Sequence, residues 1–167
     1  TLYASSGRCA RNALAHCSIS GNDQDGIILY GLTSGQCDGN VIADCSISGN
    51  LSDGIRLSGT ASGRCDGNVI ARCSVSGNLS RGIRLNGGTS GQCNGNRIVD
   101  CTISASGSYG ISADGSGGRC EGNVVEGCTL RDSGTRGIHF NLAHGNRIED
   151  NRVSGALFTD ATYGIST

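Results

Sequence analysis

The chain has 167 residues, a formal net charge of −1, 29 glycines, and no proline, methionine or tryptophan. That length fits one domain, and the near-zero charge offers no bulk attraction to nucleic acid or to an anionic membrane surface. No apolar run approaches the roughly 18 residues of a membrane-spanning helix, and the first residues do not read as a signal peptide.

In chain order, TLYASSGRC reads as a short strand, then a turn leading to Cys9. ALAHCSIS follows as two strands separated by a bend at Cys17. GIILYGLTSGQC from Gly26 restates the first segment, and GNVIADCSISGN from Gly39 restates the second. The same order returns through GIRL at Gly54 and GNVIARCSVSGN at Gly67, and continues to GIST at the end. One set of cysteines falls at Cys9, Cys37, Cys65, Cys93 and Cys120, a second at Cys17, Cys45, Cys73, Cys101 and Cys128. A Gly-Ile pair begins at Gly26, Gly54, Gly82, Gly110, Gly137 and Gly164. Repetition at this interval marks a solenoid.

The contents of the repeat select strands over helices. Ile55 and Leu57 flank Arg56, and Ile47 sits between Ser46 and Ser48, which is the period of two that buries one face. The expected fold is all-β: a right-handed parallel β-helix of about six turns of ~27–28 residues, three short strands each, in one domain over 1–167. Three internal columns follow. They are Ile27, Ile55, Ile83, Ile111, Ile138 and Ile165; Leu14, Ile42, Ile70, Ile98, Val125 and Ile148; and Ile19, Ile47, Val75, Ile103, Leu130 and Val153. The glycine before each first-strand isoleucine is expected to take a positive φ.

The pattern GNxIxx(C/N)xIxGNxxxGIxL resembles the repeat of right-handed parallel β-helices of the pectin-lyase-like superfamily, over nearly the whole chain. That group includes pectate lyases, mannuronan epimerases and phage tailspikes. Relatives often carry inward asparagines at the bend between second and third strands, where this chain has Cys17 to Cys128 and then Asn151. Ala143 ends the other column. Three readings of the cysteines stay open: small reduced core residues, disulfides between adjacent turns with one left over per column, or metal ligands. The last lacks any CxxC or matching histidine spacing, so no metal and no cofactor is expected.

The resemblance also implies a polysaccharide groove along the first strands. Its outward positions here are Ile28, Arg56, Arg84, Ser112, His139 and Ser166, preceded by Asp25, Asp53, Arg81, Tyr109, Arg136 and Tyr163. Arg56, Arg81, Arg84, Arg136, Tyr109 and His139 form a candidate strip for acidic polysaccharide, since guanidinium forks suit carboxylates and tyrosine faces suit sugar rings. Asp25 and Asp53, stacked on adjacent turns, are weak candidates for a catalytic carboxylate pair. The paired hydroxyls Ser18/Ser20, Ser46/Ser48, Ser74/Ser76 and Thr102/Ser104 resemble an ice-binding face, a minor alternative.

The last segments depart from the repeat. GALFTDATY is longer than its counterparts, and Phe158 is expected to fold across the terminal turn. GIST followed by TLYASSGRC would make a near-normal turn, so association end to end, or as a trimer, is expected. Near-identical turns favour a non-enzymatic structural or glycan-binding module of an extracellular or virion fibre. The alternative is part of a polysaccharide lyase, hydrolase or epimerase. No nucleic acid or membrane partner is expected.

Overall fold

The structure, a computed structural model, describes residues 1–155. Within them lie three parallel sheets of six strands each. The first sheet stacks Leu2–Ala4, Ile27–Leu32, Ile55–Thr60, Ile83–Gly87, Tyr109–Asp114 and Arg136–Asn141. The second and third are built from three-residue strands such as Val69–Ala71 and Ser74–Ser76. Every neighbour pairs with the equivalent residue one turn away, as Ile55 pairs with Ile83 and Ile70 with Ile98. Six rungs are separated by five steps, so the winding completes about five turns rather than the six expected from sequence. At ~4.8 Å per step the described rod is roughly 24 Å tall.

The three internal columns form as the alternation predicts. Ile55, Ile83, Ile98, Ile103, Ile111 and Leu130 have no exposed surface. Leu29, Leu57, Leu85, Ala113 and Phe140 make a further inward column on the first sheet. A single turn has nothing on which to bury these faces, so the core exists only because turns stack. At the first rung Leu2, Leu14 and Ile19 are half-buried, and with Ile27, Leu29 and Ile42 they line an open cavity of about 370 Å³. Ile165 and Phe158 lie outside the described residues.

Among the described residues, the glycines that precede the first-strand isoleucines do not have positive φ. They are required for space instead. A Cβ on Gly26 would come within 2.7 Å of Ile47 Cγ2 and 2.8 Å of the Gly54 carbonyl oxygen. The left-handed positions are at the corners, at glycines such as Gly39, Gly49, Gly67 and Gly77, and at Asp44, Arg72 and Asp100 in the cysteine bend. At these corners a left-handed residue lets the chain bend sharply from one sheet to the next.

Two corners carry asparagine ladders. Asn68 Oδ1 accepts from the Asn40 backbone N–H at 2.8 Å and from Asn40 Nδ2 at 3.1 Å, and Asn68 Nδ2 donates to Asn96 Oδ1 at 3.0 Å. The same links run from Asn12 down to Asn146. A second ladder joins Asn22, Asn50 and Asn78, then changes to Ser106 and Ser133. At that change Asn78 Nδ2, Ser106 Oγ and Ser133 Oγ are buried with no partner.

The ten cysteines are free thiols. In the first column Cys93 Sγ accepts from Asn96 Nδ2 at 3.4 Å and donates to the Leu57 carbonyl at 3.6 Å. In the second, the Cys45 thiol donates to the Ala43 carbonyl at 3.1 Å, and Cys73, Cys101 and Cys128 repeat that bond. Burial holds the Cys45, Cys65 and Cys93 thiols above their ordinary range. Contact with an adjacent thiol of the stack, Cys65 or Cys101, holds Cys37, Cys73 and Cys128 below that range. Asn151 closes the second column, accepting from Cys128 N at 2.8 Å, and buried Ala143 closes the first. The thiols are therefore small core groups that also satisfy backbone carbonyls at the corners.

Candidate functional site

The outer face of the first sheet displays the sequence-predicted strip. Arg56, Arg84, Ser112 and His139 occupy successive rungs of one column. Arg81, Tyr109 and Arg136 form a neighbouring column, since Gly82 N donates to Tyr109 O and Tyr109 pairs with Arg136. Alternation decides this placement: the inward partners Ile83 and Leu85 are fully buried, so Arg84 between them must face out.

The two columns converge on Tyr109. Its ring stacks on His139 with centroids 4.6 Å apart and planes 17° apart. The Arg81 guanidinium carbon lies 5.7 Å from the same ring. Arg81, Arg84, Tyr109, Ser112, Asp114, His139 and Asn141 line a pocket of about 160 Å³. Asp114 and Asn141 are additions that sequence reasoning did not make; they occupy the outward position two residues beyond Ser112 and His139.

The electrostatics follow from partial burial and crowded cations. His139 lies below its ordinary pKa because burial disfavours its cation and Arg136 and Arg81 repel it, against the pull of Asp114. Arg84 is lowered by burial first, then by Arg81 and Arg56, with Asp53 and Asp114 opposing. Burial acts to raise Asp114, but hydrogen bonds from Ser116 and Asn141, with Arg84 nearby, leave it lowered overall. The pocket is thus a half-desolvated cluster of guanidinium groups beside a neutral imidazole and one carboxylate.

Asp25 and Asp53 stack as the sequence suggested, but both carboxylates are committed. Asp25 Oδ1 accepts from Asp53 N at 2.8 Å, and Asp53 Oδ1 accepts from Arg81 N at 3.0 Å. Asp53 retains 2% exposure and faces Arg81 and Arg84 at 3.6 and 3.9 Å. Asp25 faces Arg56 at 3.8 Å. These side chains bind rungs together and orient the arginines above them. The hydroxyl rows of the third sheet are outward, with Ser18, Ser46, Ser74 and Thr102 exposed, and Arg131 and Arg152 interrupt them below. No group of three or more metal-ligating side chains occurs among the described residues. Tyr163 and Ser166 lie outside them.

A sequence profile described as "Right handed beta helix region" matches residues 2–121 and 73–167. No curated protein sequence matches the chain. Among solved structures, the periplasmic alginate epimerase AlgG superposes with a TM-score of 0.66 at 16% identity, covering 85% of this chain and 39% of the epimerase. A double mutant of that enzyme gives 0.64 at 16% identity, with 84% and 38% covered. The A-module of Azotobacter vinelandii mannuronan C-5 epimerase AlgE6 gives 0.33 at 15% identity, with 86% and 58% covered. The chain therefore spans well under half the length of AlgG, and at this identity the likeness is one of fold.

Proposed function

The chain belongs to the right-handed β-helix family, and on that premise we propose that it is an extracytoplasmic binding module for acidic polysaccharide. The observation that carries this is the convergence of Arg81, Arg84 and His139 on Tyr109 in one pocket. On this face tyrosine stands one rung beyond Arg81 and histidine two rungs beyond Arg84, which brings two rings against the arginines. A uronate presents a carboxylate for a cation and an apolar flank, and this pocket offers guanidinium groups beside the outer edges of the Tyr109–His139 stack. Calorimetric titration with polymannuronate, polygalacturonate and neutral dextran tests it. Binding should favour the two polyanions, weaken with salt and weaken in Arg84→Ala. Equal binding of dextran, or no binding of either polyanion, overturns the reading.

A second reading, catalysis on the same ligand, is favoured by the Tyr109–His139 stack. A neutral imidazole can take the proton next to a uronate carboxylate once arginines neutralise that carboxylate. The two rings are in contact, so no sugar fits between them and both act from one side. That arrangement suits elimination, with His139 taking the C5 proton and the Tyr109 hydroxyl giving its proton to the departing C4 oxygen, leaving a 4,5-double bond. It suits two-sided epimerisation less well. Ultraviolet absorbance of the unsaturated product during incubation with polymannuronate decides this; a flat trace excludes it.

A further inference from the structure

The same sheet face carries a second aromatic cluster, away from the pocket. Tyr3 and Tyr30 occupy adjacent rungs of the outward column that continues to Ser58. Their ring centroids are 5.7 Å apart and the planes are tilted by 42°. Tyr3 is 51% exposed. Tyr30 is pinned by Thr60, whose hydroxyl donates to the phenol oxygen at 3.0 Å. The Arg56 guanidinium carbon lies 5.9 Å from the Tyr30 ring. Its Nε is buried with no hydrogen-bond partner, and its contact with Asp25 is a loose 3.8 Å. The cluster is thus an exposed ring platform beside an arginine whose donors are incompletely used. Neither tyrosine contributes to the internal columns.

We propose that Tyr3, Tyr30 and Arg56 form a second subsite for the same polyanionic chain, the rings stacking on a sugar face and Arg56 taking a carboxylate. This rests on the acidic-polysaccharide reading above and deepens it by fixing the kind of ligand. Tyr30 and Tyr109 are three rungs apart, roughly 14 Å along the axis, with Arg56 and Arg84 on the two rungs between. No single sugar ring reaches both clusters. A ligand that uses both is a chain of several uronates laid obliquely across the sheet, from the early rungs at Tyr3 to the later ones at His139. The two clusters then raise affinity through one linked ligand, as joined modules do.

Titrating mannuronate oligomers from dimer to octamer tests this. Affinity of the unaltered protein should climb with length and level off once both clusters are bridged. Tyr3→Ser with Tyr30→Thr should remove that climb, about tenfold for the longest oligomer, and leave the dimer unchanged. Tyr30→Phe should keep the climb, because it keeps the ring. Circular dichroism melting establishes that each variant is folded. Affinity that does not depend on length, or equal losses for short and long oligomers, overturns the second subsite while the pocket reading stands. Failure of the unaltered protein to bind any oligomer overturns both.

Discussion

The ladders show how a single side chain can hold two turns. Each asparagine gives its amide to the next turn while its oxygen takes a backbone N–H from the turn before, so a buried corner keeps no idle polar group. The exception is the change to serine, where Asn78 Nδ2, Ser106 Oγ and Ser133 Oγ are left without partners. Ser106→Asn should extend the ladder and stabilise the fold by about 1 kcal/mol, read as a raised urea midpoint. A lowered midpoint would mean the corner has no room. The recurrent GN pairs that build these ladders were plain in the sequence, yet their spacing alone fits loops as well as buried stacks. The glycines of the Gly-Ile pairs were equally visible; what they exclude, a Cβ against the third-sheet column, depends on contacts a full turn away. His139 makes a pH prediction. Its folded pKa lies below the ordinary value near 6.5, so its neutral form is favoured by folding. That contribution is complete above about pH 6.5 and is lost as pH falls through the folded value. Melting temperature should therefore decline from pH 7 towards 5, less so in His139→Gln, while affinity for a polyuronate rises as the ring takes up a proton. An identical pH profile in the variant would remove His139 from both effects.

Among the strands, alternation made most of the core legible. A strand of three residues has one inward position, and Ile70, Ile98 and Ile103 fill theirs as the pattern requires. The cysteine corners were legible as columns but not as chemistry, because a thiol that donates to a carbonyl and a thiol that merely fills space leave the same trace in sequence. The hydrogen bonds show that both roles are combined. Since Ala143 occupies the final place of one column, truncation there should be tolerated better than truncation in a strand. Cys93→Ala should cost about 1 kcal/mol and Leu85→Ala about 2–5 kcal/mol by denaturant unfolding. A reversed order would show the thiol bonds outweighing strand packing. The outward placement of Arg56, Arg84 and His139 follows from the same alternation. Tyr3, Tyr30, Asp114 and Asn141 escaped because they sit two residues further along, where the strands of the first sheet run on beyond the short repeat.

Across the described residues the strands pack against the turns immediately before and after them, so stability is distributed by position along the axis. The middle rungs are covered on both sides, while Leu14 and Ile19, and Ile148 and Val153, are half-buried. Amide hydrogen exchange should be slowest around Ile55–Val125 and quicken outwards in both directions. Uniform protection would instead indicate a single cooperative block. The asparagine stacks have one more implication. Every amide in them points the same way, Asn12 towards Asn40 and onward to Asn146, and all strands run parallel. Aligned dipoles reinforce one another. The asparagine stack is therefore an arrow: within it oxygen faces one way and nitrogen the other, so the rod has a heading as well as an axis.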